Sequence, residues 1–323
     1  MSHNHSSTPT LDSLSPLGKL FYPHVNACEA VDNKFYSLIN TEHPFFNEAT
    51  LKLLSKPGKR IRSLLVFLMA QSEHLDKRIT SFASIIECLH LATLIHDDVI
   101  DESDTRRHQA TTHTHIGNKN AILCGDFLLA TTFQWISQIR NHSLNDYMAN
   151  ITKEIVMGEL DQSILRGSTT LEIDTYYDLI LKKTGLLFEA SCYGTAMILN
   201  QPNLEGHRRF GRCFGMAYQM VDDLLDYDVH NTKLNKNVLD DWHNGTPTLP
   251  LLLAYQNNPS LTSSIDATFG QQECPEDVLN AILDTRPMVT NLIQQQLNEG
   301  LSALDQPPET IIELCHWMTE RTH

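Results

Sequence analysis

The sequence of 323 residues has little positive charge. It holds 24 Lys and Arg against 39 Asp and Glu, so its formal net charge is -15 at pH 7. A chain this acidic is not expected to form the basic surface that neutralises nucleic-acid phosphates, which argues against a nucleic-acid partner. Any anionic ligand must instead be held by a local cluster of cations that works against the overall negative field.

Long apolar runs and paired cysteines are also lacking. The longest apolar run lies within IRSLLVFLMAQ and reaches only about half of the ~20 residues that cross a bilayer, so no transmembrane segment is predicted. The first residues, MSHNHSSTPT, lack the apolar core of a signal peptide. The seven cysteines form no C-x-x-C pair and have no zinc-ligand spacing, which predicts reduced thiols and a cytoplasmic location.

Helical periodicity dominates the chain, and strand alternation is nearly absent. The clearest helix is predicted from about Ser81 to Asp101, where apolar residues recur at three- and four-residue steps. Further helices are predicted over residues 61–72, 120–139, 145–165, 174–199, 206–226, 248–256 and 286–304. No repeat and no linker divides the chain. We therefore expect residues 1–16 to form a disordered tail and residues 17–323 to form a single helical domain.

Two similar groups of aspartates stand at the predicted ends of two helices. The first motif is Asp97, Asp98 and Asp101, and the second is Asp222, Asp223 and Asp226. Carboxylates one turn apart repel each other, and the helix dipole disfavours negative charge at a C-terminal end. One such group is as easily explained as a solvated acidic face. Two copies, each behind a long apolar helix, favour a site where a cation neutralises them, and Mg²⁺ suits this density of oxygen ligands beside phosphate.

Basic residues near the first motif could supply the cations that a phosphate needs. Gly58 to Arg62 is predicted to open a helix, with Lys59 and Arg62 on one face beside free backbone N–H groups. Arg106 and Arg107 follow the first motif, and paired guanidiniums suit bidentate phosphate contacts. His90 precedes Asp97 by two helical turns on nearly the same face, so a ligand role is favoured over a packed or surface histidine.

Together these segments resemble the trans-isoprenyl diphosphate synthases, and more closely the long-chain polyprenyl enzymes of the octaprenyl or solanesyl type. The resemblance runs from about Pro57 to Pro250. It is carried by GKRIRS, HLATLIHDDVIDESDTRR, GDFLLA, the Lys183-Thr184 step, QMVDDLLDY and TLPLLLA. The segment near Glu320-Arg321 is similar to the family's C-terminal end. The resemblance implies an all-α fold, a single large antiparallel helix bundle around a deep central cavity, and a homodimer.

The resemblance also implies an activity and roles for particular residues. The implied enzyme is a Mg²⁺-dependent prenyltransferase that condenses isopentenyl diphosphate with an allylic diphosphate, farnesyl or geranylgeranyl, to give a long-chain polyprenyl diphosphate that can partition into membranes. The residues implied to hold isopentenyl diphosphate are Lys59, Arg62, His90 and Arg107. Those implied to face the allylic diphosphate are Arg106, Lys183, Thr184, Gln219 and Lys236. Three Mg²⁺ would be held mainly by Asp97, Asp101 and Asp222, with Asp98, Asp223 and Asp226 in support.

The sequence departs from the family pattern at three positions. Ser63 stands where the family has proline, and Asn235 stands where it has glycine. Thr246 replaces a lysine that contacts the allylic diphosphate in the family. A lysine restored at position 246 is expected to improve affinity for the allylic substrate, unless another cation, such as Lys233 or Lys119, already fills that place.

Three other functions remain open from the sequence. A short-chain synthase would stop at farnesyl or geranylgeranyl diphosphate. A class I terpene cyclase would ionise the same kind of substrate, but usually carries an N-S-E-type second motif and needs no isopentenyl site. A non-catalytic subunit of a heteromeric prenyltransferase is suggested only by Thr246.

Product length is predicted from the wall of the helix that carries the first motif. In the family the growing chain runs down this helix from the metals. Ala92 and Thr93 are small, and Leu89 and Ile86 follow; Phe82, the first aromatic residue on this wall, stands 15 residues before Asp97. That spacing corresponds to about 22 Å along a helix, which predicts a long product. Phe82 is one candidate for the floor, and Phe133 and Trp135 on another helix are the alternative.

Overall fold

The computed structural model describes residues 14–39, 43–44, 46–47, 58–71, 76–106, 109–229 and 238–321. Within these ranges the protein is helical apart from one two-residue antiparallel ladder, in which Thr105 pairs with Ala110 and Arg106 with Gln109. The short strands are β1 (Thr105–Arg106) and β2 (Gln109–Ala110). The predicted all-helical class is confirmed.

The α-helices are numbered in chain order. They are α1 (Pro16–Phe21), α2 (Val25–Tyr36), α3 (Ile61–Ala70), α4 (Lys77–Ile100), α5 (Thr112–Ile116), α6 (Asn118–Gln138), α7 (His142–Leu165), α8 (Ile173–Ile180), α9 (Leu186–Leu199), α10 (Leu204–Asp226), α11 (Asp240–His243), α12 (Leu249–Asn257), α13 (Thr262–Thr268), α14 (Glu276–Leu283), α15 (Arg286–Ala303) and α16 (Glu309–Glu320). Two 3₁₀ turns, Tyr22–His24 and Ser37–Ile39, flank α2, and a π-helical turn, Leu181–Gly185, joins α8 to α9.

Two long helices, α4 and α10, organise the packing. α4 packs against α3 and α6, whereas α10 packs against α9, α15 and the π turn. Each begins at a side-chain cap: Asp76 accepts from the backbone N–H of Arg78 at 2.7 Å, and Asn203 accepts from that of Gly206 at 3.0 Å. Such caps satisfy backbone donors that a helix start would otherwise leave unpaired. Both helices end at their aspartates, as predicted from the sequence.

The helix predicted over residues 174–199 is interrupted by the π turn, which the sequence pattern did not reveal. Glycines let neighbouring helices approach this turn closely. A Cβ on Gly215 of α10 would lie 2.7 Å from the Cα of Gly185, and one on Gly158 of α7 would lie 2.7 Å from the Cβ of Lys182. Only glycine fits at these contacts, so the π turn is held tightly between α7 and α10.

One described helix, Lys77–Ile100, is long and apolar enough to cross a membrane by length and composition. Its most apolar window is 56% buried inside the protein, and residues such as Phe82, Ile85 and Ile86 have no exposed surface. It is therefore a core helix of the bundle rather than a candidate span.

Residues 1–13 of the predicted tail lie outside the described residues, and α1 begins at Pro16 with Ser15 as its cap. The division into a tail and one domain stays a prediction.

Candidate active site

The first acidic motif occupies the last turn of α4. Asp97 and Asp98 are buried, with 9% and 3% of their surface exposed, and Asp101 is the C-terminal cap residue of the helix. Asp101 forms an ion pair with Arg166, which stands immediately after the last residue of α7. The C-terminal end of α7 therefore brings a guanidinium to the edge of this motif.

The second acidic motif occupies the last turn of α10, and its three carboxylates have different surroundings. Asp222 pairs with Arg321 at 2.7 Å. Asp223 accepts hydrogen bonds from Tyr176 and Gln219, both at 2.7 Å. Asp226 is 1% exposed and accepts from the backbone N–H of Asp241 at 2.9 Å. Asp226 thus anchors the segment that follows the motif, in addition to its predicted support for a metal.

The π turn connects the two motifs. The amine of Lys183 donates to Gln162 at 2.6 Å and to Glu159 at 3.2 Å. Burial lowers the pKa of Lys183, but the carboxylates of Glu159, Asp97 and Asp101 outweigh burial and raise the pKa above its ordinary value. Lys183 is therefore a firmly charged cation within the field of the first motif.

The adjacent residue, Thr184, faces the second motif. Its hydroxyl donates to the side-chain oxygen of Gln219 at 2.7 Å, and the amide nitrogen of Gln219 donates to Asp223. Two consecutive residues of the π turn are thus related to different acidic motifs, Lys183 to the first through charge and Thr184 to the second through Gln219. π turns of this kind are frequent at functional sites, because the extra residue changes the direction of the side chains.

A second group of cations lies beside the second motif. Arg62 lies 3.1 Å from Nε2 of His90 and stacks on the ring of Phe188 at 4.4 Å. Lys59 and Arg321 both approach the ring of Trp317, at 5.5 and 5.4 Å from its centroid. Residues from α3, α4 and the C-terminal helix thereby form one cationic cluster, which we call the basic cluster: Lys59, Arg62, His90 and Arg321.

The start of α3 differs from the sequence prediction. The helix begins at Ile61, and Arg60 before it has a left-handed backbone with a φ of 48°. Lys59 therefore precedes the helix and does not share a helical face with Arg62. Ser63, which stands where the family has proline, donates its backbone N–H to Glu87 at 3.0 Å, a hydrogen bond that proline cannot form.

The segment after the second motif is anchored where it is described. The backbone N–H of Leu239 donates to the carbonyl of Asp226 at 2.8 Å, and Trp242 is fully buried against Phe269. Thr246 donates its backbone N–H to the carbonyl of Asp241 at 2.8 Å. Residues 230–237 of the same segment lie outside the described residues.

Several predicted substrate residues cannot be placed. Arg107 and Lys236, together with Lys233 and Asn235, lie outside the described residues, and Arg106 is located only as part of β1.

The predicted wall for the product lies along α4. Ala92, Leu89 and Phe82 are buried. Thr93 is partly exposed, and its hydroxyl donates a hydrogen bond to the carbonyl of His90. The Phe82 ring fills the space beside Gly194 of α9, where an added Cβ would come within 2.2 Å of it. The alternative floor residues are placed elsewhere.

Phe133 is 40% exposed, and Trp135 packs against Phe35 of α2 with ring centroids 6.0 Å apart. These positions favour Phe82 as the floor, although the assignment of the floor stays a prediction.

Sequence reasoning missed several residues of this site. Arg166, Tyr176, Trp317 and the role of Arg321 come from elements distant in the chain and belong to no recognisable motif. Only Glu159 and Gln162 carried a possible signal, because their spacing from Arg166 places all three on one face of α7.

The donor set fits Mg²⁺ better than a metal with a protein cage. Among the described residues no three His, Cys, Asp or Glu side chains converge on a ready-made metal position. Mg²⁺ typically uses one or two carboxylates, several waters and the oxygens of a phosphate, so the two groups of aspartates suit Mg²⁺ that arrives with a diphosphate.

Comparison with known proteins gives a consistent result. The profile of the Polyprenyl synthetase family matches residues 43–317. Octaprenyl diphosphate synthase of Escherichia coli is 31% identical over 297 residues, which cover 88% of this chain and 92% of that protein. Octaprenyl diphosphate synthase of Haemophilus influenzae is 28% identical over 327 residues, covering 97% and 98%.

Among solved structures, a decaprenyl diphosphate synthase from Rhodobacter capsulatus superimposes with a TM-score of 0.88 at 26% identity, covering 95% of this chain and 100% of that one. The all-α isoprenoid synthase fold, the two acidic motifs and these relatives agree. The chain belongs to the polyprenyl synthetase family of trans-isoprenyl diphosphate synthases, and it is a prenyltransferase of the long-chain type.

Proposed function

We propose that the protein condenses isopentenyl diphosphate with farnesyl or geranylgeranyl diphosphate to give a long polyprenyl diphosphate, in a reaction that requires Mg²⁺. The observation that carries this proposal is the π turn, which links both acidic motifs through Lys183 and Thr184. The carboxylates of the two motifs would bind the metal ions of a diphosphate that lies between them, and the charged amine of Lys183 would contact the diphosphate itself.

The two groups of cations support two separate diphosphate positions. Lys183 and the acidic motifs form the allylic position. Mg²⁺ bound there would neutralise the charge that develops on the departing diphosphate and so lower the barrier to cleavage of the allylic carbon–oxygen bond. The basic cluster forms the isopentenyl position and holds the alkene for attack on the allylic carbon. Ring contacts with Trp317 and Phe188 orient Lys59, Arg62 and Arg321.

The proton that must leave after the carbon–carbon bond forms is assigned to the departing diphosphate, by family precedent. A histidine base is therefore not required.

A homodimer is supported by apolar residues that α6 and α7 expose. Leu123 and Phe127 on α6 are 56% and 40% exposed, and Val156, Leu160 and Ile164 on α7 are 53%, 53% and 80% exposed. The three residues of α7 recur every four positions and so form one stripe. Exposed apolar surface of this extent is typical of an interface.

A cytoplasmic location is proposed from the seven cysteines, which are all free thiols although five of them are buried. The long product would pass from the protein into a membrane because of its apolar length.

The decisive experiment is incubation of the purified protein alone with Mg²⁺, farnesyl diphosphate and labelled isopentenyl diphosphate. Incorporation into a polyprenyl diphosphate longer than geranylgeranyl is expected. A product that stops at geranylgeranyl would indicate a short-chain synthase, and a cyclic hydrocarbon would indicate a terpene cyclase. No incorporation at all would indicate a non-catalytic subunit.

A further inference from the structure

The segment that follows the second acidic motif includes Lys233 and Lys236, which lie outside the described residues. Its described part, residues 238–248, contains no Lys or Arg, and Thr246 stands where a cation would otherwise face the allylic position. A diphosphate bound between two acidic motifs needs several cations, because each uncompensated carboxylate repels it. A cation beside Thr246 would add to the charge that Lys183 and Lys236 are proposed to supply.

The C-terminal end of α7 lies directly beside this segment. The backbone N–H of Gly167 donates to the carbonyl of Gly245 at 2.7 Å. An added Cβ on Gly245 would lie 3.6 Å from Cγ of Arg166, so the stem of Arg166 passes next to the residue that precedes Thr246. The guanidinium at the end of that stem reaches Asp101 of the first motif.

Arg166 also belongs to the same face of α7 as two residues that already serve the site. Glu159 and Gln162 hold the amine of Lys183, and Arg166 follows Gln162 at a spacing of four residues. Its side chain is 39% exposed and that of Asp101 is 24% exposed, so the ion pair lies at an accessible edge of the motif and not in the core. A bound diphosphate could therefore replace Asp101 as the partner of Arg166.

We propose that Arg166 binds the allylic diphosphate and supplies the positive charge that Thr246 does not. When Mg²⁺ and a diphosphate occupy the acidic motifs, the guanidinium turns from Asp101 to the diphosphate oxygens, and Asp101 is released for the metal. Arg166, the cap residue after α7, and Lys183, which α7 holds through Glu159 and Gln162, then both bind the leaving group. This inference rests on the proposed function of the site and adds a substrate-binding residue to it.

The test is calorimetric binding of an unreactive allylic thiolodiphosphate in the presence of Mg²⁺, which needs no turnover. Four variants are compared with the wild type: Arg166→Gln, Thr246→Lys, the double variant, and Arg209→Gln as a matched control. Arg209 is an exposed arginine near the start of α10, at the opposite end of the helix from the second motif. It pairs with Glu299 of α15. Thermal unfolding of each variant checks that the fold is intact.

The expected result is a dissociation constant raised about 10- to 100-fold in Arg166→Gln, the size of one lost charge-assisted contact. Arg209→Gln should bind as the wild type does. Thr246→Lys alone should change affinity little, and the double variant should recover most of the lost affinity. In steady-state assays, Arg166→Gln should raise KM for the allylic substrate and leave KM for isopentenyl diphosphate unchanged.

Unchanged or tighter binding in Arg166→Gln would overturn the proposal, since tighter binding would mean that Arg166 only competes with Mg²⁺ for Asp101. If Thr246→Lys fails to restore the affinity that Arg166→Gln loses, Arg166 does not act in place of a lysine at position 246. If the wild type itself does not bind the Mg²⁺-thiolodiphosphate, the proposed function fails and this inference fails with it. Binding by the wild type with no effect of Arg166→Gln rejects this inference alone.

Discussion

Single residues of the two acidic motifs differ in their burial and in the partners that the structure shows for them. Asp101 and Asp222 each have an arginine partner, Arg166 and Arg321, whereas Asp97 and Asp98 are the more buried members of the first motif. Under the proposed function, a metal ion at Asp101 or Asp222 would take the place of the arginine partner.

Replacement of one metal-facing aspartate tests this arrangement. Asp97→Ala or Asp222→Ala should lower turnover by several orders of magnitude with the fold intact, because the diphosphate would lose a metal contact. Asp104→Ala is the control, since Asp104 is 86% exposed and lies just beyond the first motif. Turnover is measured with saturating Mg²⁺, and a near-normal rate in either motif variant would contradict the metal assignment.

The hydroxyl of Tyr176 has a structural consequence that can be measured separately. Tyr176 is 1% exposed and donates to Asp223 at 2.7 Å; burial, followed by the charge of Asp223, raises its pKa well above the ordinary value. Tyr176→Phe leaves a buried carboxylate with one donor fewer, so the free energy of unfolding should fall by about 1.5–3 kcal/mol.

Urea unfolding measures this loss. Tyr177→Phe serves as the matched control, because Tyr177 is only partly buried on the same helix. Equal stability of the Tyr176 and Tyr177 variants would show that the hydrogen bond to Asp223 contributes nothing.

The residues that could be predicted from the sequence are those whose chemistry is local. The six aspartates repeat a pattern within one helical turn, and Lys59 and Arg62 lie close together, so the sequence could single them out without a fold, while their roles stay predictions. Tyr176 and Arg321 could not be predicted, because they meet the second motif only through helix packing between distant segments. Arg166 was missed for the same reason, since its ion pair with Asp101 spans 65 positions.

At the level of elements, the approach of α10 to the π turn depends on Gly215. A side chain there would meet the backbone of Gly185, which cannot move aside as a flexible side chain could. Gly215→Ala should therefore destabilise the protein by about 1–3 kcal/mol through overpacking. It should also weaken the chain of hydrogen bonds from Thr184 through Gln219 to Asp223.

Two measurements check this prediction together. Denaturant unfolding gives the loss of stability, and calorimetry with Mg²⁺ and inorganic pyrophosphate gives the loss of binding. A variant as stable as the wild type would show that α10 and the π turn can separate at no cost.

The helix α4 is predicted to set product length. Thr93 is one turn before Asp97, so Thr93→Phe would put a ring on the wall close below the metal site. The product should become much shorter, because chain growth would stop at the new ring. The first condensation is the internal control and should proceed at nearly the wild-type rate. Products as long as those of the wild type would show that the chain follows another wall.

At the level of the whole molecule, the exposed stripe on α7 predicts self-association. Leu160→Asp places a charge in the centre of that stripe and should convert a dimer into a monomer, because an unpaired charge is costly inside an apolar interface. Light scattering after size exclusion measures the mass. Gln295→Asp, at an exposed polar position of α15 outside the stripe, is the control and should stay dimeric. A wild type that is monomeric at all concentrations would contradict the proposed interface.

The helical class and the ends of the long helices were predictable, since apolar periodicity and caps are properties of the sequence alone. The boundaries of α4, α6, α7, α10 and α15 agree with the predicted ranges to within a few residues. The shorter helices α11, α13 and α14 were not predicted, because a helix of so few residues has too few apolar positions to show a period.

The π turn has a consequence for how this chain can vary. A π turn contains one more residue than an α turn, so α9 continues out of step with α8. Deletion of a single residue between Leu181 and Gly185 would restore an unbroken α-helix, yet Lys183 and Thr184 would no longer point toward different motifs. Substitutions in this segment alter one contact at a time, whereas an insertion or deletion alters all of them together. The length of the segment, and not only the identity of its residues, therefore determines which motif each side chain points toward.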